Sequence, residues 1–302
     1  MHAGLEHIRD WFKGELLFHE PLARHVSLKV GGPVDLLATP DSREELQQLV
    51  TLLDQQQIPR FVLGGGFNLL PSDVGYRGCA ISLKQINRLQ LDDTVVAIEA
   101  GASNQSLARA VAELGLSGIE FLIGIPGSVG GAVRMNAGAH GSDIFSVVKT
   151  VTLLDQGQFR ELPREQLTYG YRCFEIPDNS VIVAVTLQLS EDSLQAVRSR
   201  MEEQLGLRWA TQNVKFPNAG SFFKNPPGES AWRLIDQAGL RGFSIGNAQV
   251  SDVHTNFLIN RGNATAADFR ALAAAVKERV KATSGIELEE EVQLLDSGEC
   301  GQ

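Results

Sequence analysis

The residues best suited to binding chemistry lie in one glycine-rich stretch, FLIGIPGSVGGAVRMNAGAHG, which runs from Phe121 to Gly141. Each glycine costs about 1 kcal/mol relative to alanine inside a helix and also weakens a strand, so we expect neither an ordinary helix nor a strand interior here. Dense glycine suits a sharply bent backbone whose bare N–H groups a phosphate can approach. Taken alone, the stretch fits a plain surface loop equally well. Its polar side chains stand at only four positions: Ser128, Arg134, Asn136 and His140.

A second glycine run, Gly64-Gly65-Gly66-Phe67-Asn68, directly follows a predicted strand, Phe61–Leu63. A strand that leads into a glycine turn is how phosphate-binding loops are built. The run lacks the G-x-G-x-x-G fingerprint and the chain has no Walker motif, so a plain turn stays open as the alternative. Two such turns predict two walls around one long ligand, and a dinucleotide with a pyrophosphate fits that description.

Composition and charge narrow the class of protein. The chain has 302 residues, of which 43% are hydrophobic and 21% charged, and its net charge is −9. The length and composition predict a soluble globular protein of two or three domains. The negative net charge argues against broad electrostatic binding to nucleic acid or anionic lipid. No apolar run has the length of a signal peptide or a membrane span, so we expect a cytoplasmic protein that binds no membrane. The three cysteines lie far apart and form no C-x-x-C motif, and the histidines form no H-x-x-x-H pair. We therefore expect a reducing compartment and no metal site.

Hydrophobic periodicity predicts the elements that would position the two turns. An amphipathic helix is expected over residues 1–20. A β-α-β unit should follow, with a strand at Val34–Ala38, a helix that starts at a capping box of Ser42 and Glu45, and the strand Phe61–Leu63. Further strands are predicted at CAISL, TVVAIEA, VKTVTLL and SVIVAVTLQL, around 256–259 and over 286–295. Further helices are predicted from a cap at Asn104 to Gly115, from Leu194 to Leu205, over 231–238, and from a cap at Thr265 to Gly285.

Seven sequence blocks, in order along residues 20–295, resemble one family, the UDP-N-acetylenolpyruvoylglucosamine reductases (MurB), flavin enzymes of bacterial peptidoglycan precursor synthesis. The resemblance implies an α+β fold. A two-subdomain FAD-binding module of the vanillyl-alcohol-oxidase type, residues 1–77 and 78–205, would precede a C-terminal α/β substrate domain, residues 206–302. Because few residues separate Arg172 from the next strand, the chain resembles the second structural type, which lacks an extra tyrosine-bearing loop. The blocks are LARHVSLKVGG, LGGGFNLL, GIPGSVGGAVRMNAGAHG, YGYR, PNAGSFFKNP, VHTNFLIN and LEEEV.

The resemblance also implies a reaction and three catalytic residues. NADPH would reduce FAD, the flavin would pass a hydride to UDP-N-acetylglucosamine enolpyruvate, and a proton would be added at the neighbouring carbon. Arg172 matches the catalytic arginine, whose forked guanidinium suits a carboxylate. Ser221 matches the proton donor, and Glu291 matches the glutamate that helps to polarise the enol. Without the resemblance, a surface ion pair, a turn serine and a solvated acidic edge would explain the three residues.

The resemblance places FAD on main-chain N–H groups of the two glycine turns. It implies that Tyr171, Lys224 and Asn225 contact the substrate, and that the protein is a monomer, as the family largely is. The implied FAD-binding residues are Gly64, Gly65, Gly66, Phe67, Asn68, Pro126, Gly127, Ser128, Gly130, Gly131, Asn136, Ala137 and Gly138.

Five positions depart from the family pattern. Phe67 replaces a serine, His140 replaces a tyrosine, and Cys173-Phe174 replaces a polar pair, so we expect altered flavin contacts and a reshaped loop after Arg172. Glu290 stands where many relatives have proline.

Two other classes stay open: a sugar or hydroxy-acid oxidase on the same fold, and a non-catalytic flavin- or nucleotide-binding protein. The presence of Arg172, Ser221 and Glu291 together favours the reductase. An alcohol oxidase does not need this set, and a binding protein would be expected to have lost at least one of its members.

Overall fold

A computed structural model describes residues 8–139 and 141–296 of the chain, which fold into two compact units. The first unit takes the described residues of Met1–Phe18, Leu36–Gly65 and Gly78–Arg208, and the second takes those of His19–Asp35, Gly66–Arg77 and Trp209–Gln302. No helix in the described ranges is long and apolar enough to span a membrane.

The secondary structure is mixed. The strands are β1 (Glu15–Pro21), β2 (Pro33–Thr39), β3 (Arg60–Leu63), β4 (Leu69–Pro71), β5 (Tyr76–Ser82), β6 (Leu89–Asp92), β7 (Val95–Glu99), β8 (Leu116–Ser117), β9 (Gly138–Ala139), β10 (Ser142–Asp143), β11 (Val148–Asp155), β12 (Gln158–Pro163), β13 (Tyr169–Gly170), β14 (Cys173–Phe174), β15 (Val181–Gln188), β16 (Ser190–Glu191), β17 (Asn218–Ser221), β18 (Ser244–Ile245), β19 (Ala248–Val250), β20 (Phe257–Asn260) and β21 (Gln293–Leu295). The α-helices are α1 (Arg43–Gln55), α2 (Asn104–Ala112), α3 (Val129–Arg134), α4 (Leu194–Gln212), α5 (Ala231–Gln237) and α6 (Ala266–Ser284).

The predicted strand–helix–strand unit near the N-terminus is confirmed as β2, α1 and β3. These strands belong to a four-stranded sheet of order β1-β2-β5-β3, in which β3 runs parallel to β5. Ser42 caps α1, because its Oγ accepts a hydrogen bond from Glu45 N–H at 3.2 Å. The Glu45 carboxylate accepts from Asp41 N–H at 2.7 Å instead of closing the predicted capping box on Ser42. Strand β3 therefore ends, as expected, directly before the glycine run at Gly64.

The first unit is built around a five-stranded antiparallel sheet of order β12-β11-β15-β7-β6. Its central strand β15 buries five consecutive residues from Val181 to Val185, as a strand covered on both faces must. Helices α1 and α2 contribute Leu49, Leu107 and Val111 to the same apolar core. Cys79 is also buried there, and burial raises the pKa of its thiol to about 12, which leaves the thiol protonated and unreactive.

The second unit combines an antiparallel sheet of order β17-β20-β19-β18 with α5, α6 and a parallel pair, β4 and β21. Both ends of α6 are as predicted. Thr265 and Asp268 form a reciprocal capping box, and Gly285, with φ of 72°, ends the helix in the left-handed conformation. Asp73 adds two further bonds, because its carboxylate accepts from the N–H groups of Ala266 and Ala267. The N-terminus of α6 is thereby saturated with acceptors.

Two predicted elements are wrong. Within residues 1–20, positions 15–20 lie in β1 and positions 8–10 form a single 3-10 turn, while residues 1–7 lie outside the described ranges. Pairing of β1 with β2 overrides the helical periodicity, because tertiary context outweighs the weak preference of a local sequence for helix. The strand predicted over 286–295 is reduced to β21. Residues 289–291 bond to the 222–224 segment, and Gln293 bonds instead to Asn68, so no continuous ladder forms.

The glycine-rich stretch contains a helix that its composition argued against. Helix α3 spans six residues that include Gly130 and Gly131. A Cβ placed on Gly130 would lie 2.8 Å from the Cβ of Ala100, so this glycine is required for close packing. Tertiary contact and the Ser128 cap outweigh the cost in helix propensity. A smaller error concerns α2, whose cap is Ser103 rather than Asn104.

We predict that Thr265→Ala lowers the free energy of unfolding by about 1 kcal/mol, because it removes the α6 cap. Urea denaturation followed by circular dichroism measures the change. Thr283→Ala is the matched control, since the Thr283 hydroxyl bonds back to the carbonyls of Arg279 and Val280 within the same helix. Equal losses in the two variants would contradict the assigned cap.

Candidate functional site

The glycine turn before α3 leaves two main-chain donors available. Val129 N–H donates to Ala102 O and Gly130 N–H to Ala100 O, both at 2.8 Å. Ser128 Oγ accepts from Gly131 N–H. In the described part of the chain, the N–H groups of Gly127 and Ser128 have no acceptor. The bare donors expected over residues 127–131 therefore reduce to two adjacent groups, at a point where Gly127 has a φ of 115°.

The structure brings part of the first glycine run to this same turn. A Cβ placed on Gly64 would lie 2.9 Å from Ser128 Oγ, so only glycine leaves open the space between them. Gly64 and Ser128 thus lie close together in the first unit, and Ser128 follows Gly127 directly. These residues fit an anionic group, because two adjacent N–H donors, which have no acceptor among the described residues, lie where a glycine leaves space.

Arg172 sits at the tip of a hairpin formed by β13 and β14, in which Gly170 is opposite Cys173. Arg172 has a φ of 56°, a left-handed backbone conformation that is uncommon for residues other than glycine. Its guanidinium donates to Gly138 O at 2.9 Å and to Asn136 O at 3.4 Å, and it lies over the ring of Tyr171 at 5.2 Å. The structure therefore gathers Asn136, Gly138, Tyr171 and Arg172 in the first unit.

Asn136 supports this hairpin from beneath. It is 3% exposed, and its Nδ2 donates to Gly170 O at 2.9 Å, which ties the hairpin to the end of the glycine-rich stretch. Arg134 adds a bond of 2.7 Å to Phe174 O. Phe174 is fully buried, which explains why the replacement of a polar pair by Cys173-Phe174 is tolerated: the cysteine is exposed and the phenylalanine fills the core. His140, another departure from the family pattern, lies outside the described residues.

Gly65 belongs to the first unit with Gly64, and the other residues of the first glycine run, Gly66, Phe67 and Asn68, belong to the second unit. Gly66 has a φ of 69°, and a Cβ there would clash with His25 O at 2.1 Å. Phe67 is 42% exposed, so the usual serine is replaced by an apolar side chain open to solvent. Asn68 Nδ2 donates to Glu291 O at 3.0 Å, and Asn68 O accepts from Gln293 N–H. The turn is thus joined to the segment that carries Glu291.

Ser221 and Glu291 lie on neighbouring segments of the second unit. Ser221 ends β17 after Gly220, whose φ is 74°. The next residue, Phe222, accepts at its carbonyl from Glu291 N–H at 2.8 Å. The Ser221 hydroxyl has no hydrogen-bond partner among the described residues. Arg172, the third predicted catalytic residue, lies in the first unit.

The predicted substrate residues Lys224 and Asn225 follow in the same segment. Lys224 is paired with Glu289, whose side chain is 72% exposed, and Lys224 N–H donates to Glu289 O at 2.8 Å. Asn225 Oδ1 accepts from Ala231 N–H and so caps α5. Glu289 belongs to an acidic run, residues 289–291. The next residue of this run, Glu290, pairs with a different lysine, Lys277 of α6, at 2.9 Å. No group of three or more His, Cys, Asp or Glu in the described ranges could hold a metal ion.

No motif pointed to Arg208, which lies beside the glycine-rich stretch. Its Cδ is 3.4 Å from a Cβ placed on Gly124, and burial lowers the pKa of its guanidinium. Arg208 has no carboxylate partner among the described residues. Because arginine stays charged in proteins and a charge withdrawn from water needs compensation, this position suits an anionic ligand. The only sequence feature that relates to Arg208 is Gly124, a glycine that lies next to its side chain.

Comparison with known proteins gives the class first. Residues 34–161 match the family model for an FAD binding domain. The N–H groups of Gly127 and Ser128, which lack an acceptor in the described ranges, agree with this match, and the chain is an FAD-dependent oxidoreductase. Residues 212–295 match a second model, that of the C-terminal domain of UDP-N-acetylenolpyruvoylglucosamine reductase.

Complete relatives agree with the second model. The UDP-N-acetylenolpyruvoylglucosamine reductase of Trichlorobacter lovleyi is 99% identical over 302 residues, which is 100% of both chains. That of Geotalea uraniireducens is 49% identical over 284 residues, covering 94% of this chain and 95% of its own. The crystal structure of the MurB reductase from Thermus caldophilus matches with a TM-score of 0.82 at 35% identity, covering 95% of this chain and 100% of that chain. The chain belongs to the UDP-N-acetylenolpyruvoylglucosamine reductase family, and the predicted α+β fold with its FAD-binding module and C-terminal domain is confirmed.

We predict that Arg208→Met weakens FAD binding by about tenfold, because a charge-assisted contact is worth about 1.5 kcal/mol or more. The dissociation constant is measured by titrating deflavinated protein with FAD and following flavin fluorescence. Arg198→Met is the control, because Arg198 lies on the same helix, is half exposed and pairs with Glu113. If the two variants bind FAD equally well, Arg208 does not face the cofactor.

Proposed function

We propose that this protein reduces the enolpyruvyl ether of UDP-N-acetylenolpyruvoylglucosamine, with NADPH as the reductant, in the synthesis of peptidoglycan precursors. Its membership of the family supports the substrate. The structural observation that carries the proposal is the bond between Glu291 N–H and Phe222 O, at 2.8 Å, because it holds a carboxylate residue beside the serine that would supply the proton.

The reaction adds a hydride to the methylene carbon and a proton to the carbon that bears the ether oxygen. FAD, when bound, would accept the hydride from NADPH and deliver it to the substrate. The N–H groups of Gly127 and Ser128 would hold the pyrophosphate of the cofactor, with Gly64 leaving room for it and Arg208 beside the turn. The other glycine-turn residues would shape this binding site, mainly through their backbones.

Arg172 would hold the carboxylate of the enolpyruvyl group. Addition of the hydride leaves negative charge on that group, and a guanidinium stabilises it most when it is oriented in advance. Support comes from the carbonyls of Asn136 and Gly138, which restrain the guanidinium, and from the hairpin turn that presents it. Tyr171, which is 55% exposed and next to Arg172, would contact the same part of the substrate.

Ser221 would donate the proton. A serine hydroxyl is a weak acid, so it must act through proximity to the charged carbon rather than through its own acidity. A hydroxyl without a protein partner in the described ranges is available for this role. Glu291 would polarise the enol at the same carbon.

Lys224 would bind the substrate phosphates together with Asn225. In the free protein Lys224 pairs with the exposed Glu289, and such a pair is worth little, on the order of 0–1 kcal/mol. A doubly charged phosphate group can therefore displace Glu289 at low cost. A monomeric state, a cytoplasmic location and the division into residues 1–77, 78–205 and 206–302 are further parts of the proposal.

We predict that the purified protein is yellow, and that NADPH bleaches its flavin absorbance under anaerobic conditions. Addition of UDP-N-acetylenolpyruvoylglucosamine should then restore the absorbance, because the substrate removes the electrons. UDP-N-acetylglucosamine, which lacks the enolpyruvyl group, is the matched control and should leave the protein bleached. Failure of the enolpyruvyl substrate to restore the colour would refute the proposed reaction.

We predict that Ser221→Ala slows reoxidation by the substrate by about 100-fold or more, the scale of a lost general acid, and leaves reduction by NADPH within about twofold, since that step needs no serine proton. Stopped-flow absorbance measures the two half-reactions separately. Ser230→Ala is a control in the same unit, because Ser230 makes no side-chain cap bond to α5. An equal loss in both half-reactions of Ser221→Ala would mean that Ser221 is structural.

A further inference from the structure

A single buried asparagine, Asn256, stands behind the segment that carries Ser221 and Lys224. It directly precedes β20 and is 2% exposed. Its carbonyl accepts from Phe222 N–H at 2.7 Å. Its side chain makes two more bonds, with Oδ1 accepting from Phe223 N–H at 3.0 Å and Nδ2 donating to Phe223 O at 2.8 Å. One residue therefore binds three main-chain groups of this segment, the N–H of Phe222 and both the N–H and the C=O of Phe223.

The side chain of Asn256 replaces a missing strand. Regular pairing of β17 with β20 ends where Ser221 is opposite Phe257, so Phe223 has no strand partner on that side. A primary amide carries one acceptor and two donors and thus copies the edge of a peptide unit. Without it, the buried N–H and C=O of Phe223 would lose their partners, at a cost of about 1–3 kcal/mol for each group.

The opposite edge of the same segment is bonded to the acidic run. Phe222 O accepts from Glu291 N–H and Lys224 N–H donates to Glu289 O, both at 2.8 Å. The rings of Phe222 and Phe223 are both about 1% exposed. Residues 222–224 are therefore held from two sides, by the strand that begins after Asn256 and by residues 289–291.

We propose that Asn256 is a positioning residue for the reaction: it fixes the Phe223 peptide and thereby sets the place of the Ser221 hydroxyl and of Lys224 relative to Glu291. This inference rests on the proposed function. Asn256 is buried and its side chain bonds to the main chain of Phe223, so it acts through the backbone. A proton donor that works by proximity is sensitive to its position, because a misplacement of 1 Å can cost about 100-fold in rate.

The side chain at position 256 must both accept and donate. Aspartate has nearly the same shape and keeps the acceptor for Phe223 N–H, but an ionised carboxylate has no donor for Phe223 O. Alanine removes both bonds. A graded effect is expected in the step that needs Ser221, with Asn256→Ala the slower variant.

The experiment measures the two half-reactions of the FAD-loaded protein by anaerobic stopped flow, together with its thermal unfolding. We expect Asn256→Ala to slow reoxidation by the enolpyruvyl substrate by about 30- to 100-fold, and to leave reduction by NADPH within about threefold. Thr255→Val is the matched control. Thr255 is adjacent and fully buried, but its hydroxyl bonds away from the segment, to Trp232 O. This variant should lose stability to a similar degree and keep both rates.

The outcomes separate this inference from the proposed function. If the wild-type protein is not reoxidised by the substrate, the proposed function fails. If the wild type is reoxidised and Asn256→Ala matches Thr255→Val in the ratio of the two rates, Asn256 is only structural and the inference is overturned. Should Asn256→Ala fail to fold, Asn256→Asp is subjected to the same comparison of rates, and an unchanged ratio in it also overturns the inference.

Discussion

The hydrogen bond from Glu291 N–H to Phe222 O is the contact on which the arrangement of Ser221 and Glu291 in the second unit depends. It joins two segments that are far apart in the chain, so that a serine and a glutamate with no local relationship become neighbours. The contact does not stand alone. Asn68 bonds the carbonyl of Glu291 and Asn256 bonds Phe222 and Phe223 from the other side. The loss of either side-chain bond of Asn256 would leave a buried main-chain group of Phe223 without that partner.

The glycines of this chain serve two physical purposes. Gly66, Gly127 and Gly220 adopt positive φ, which side chains other than glycine rarely tolerate. Gly64 and Gly130 have no such requirement but lie where a Cβ would collide with Ser128 or Ala100. The first kind turns the chain and the second lets parts of the first unit pack closely.

The three glutamates of the acidic run, residues 289–291, have different partners. Glu289 and Glu290 are neighbours in sequence, yet each neutralises a different lysine, Lys224 or Lys277. Glu291 is tied through its main chain to Phe222 and Asn68. The net negative charge of the chain is thus compatible with individual cations in each unit, which include Lys224 in the second unit and Arg172 and Arg208 in the first.

Secondary-structure elements whose sequence patterns are local could be predicted from the amino-acid sequence alone. The capping box and glycine stop of α6 and the hydrophobic period of α1 were readable because they involve residues within one or two turns. Ordered motifs were enough to identify the family, the fold class and the cofactor. The proposed roles of Arg172, Ser221 and Glu291 came from the same motifs and stay predictions.

Features that depend on contacts between residues far apart in the sequence form only in the folded chain. Residues 15–21 became a strand because a sheet edge was available, and 129–134 became a helix because Ala100 accepts close packing at Gly130. The acidic run changed partners between Glu291 and Gln293, which no period of two could reveal. Asn256 and Arg208 carry no recognisable spacing, since their partners are 33 or more residues away. A local pattern records what a segment prefers, whereas burial and unpaired polar groups are satisfied only after the chain has folded.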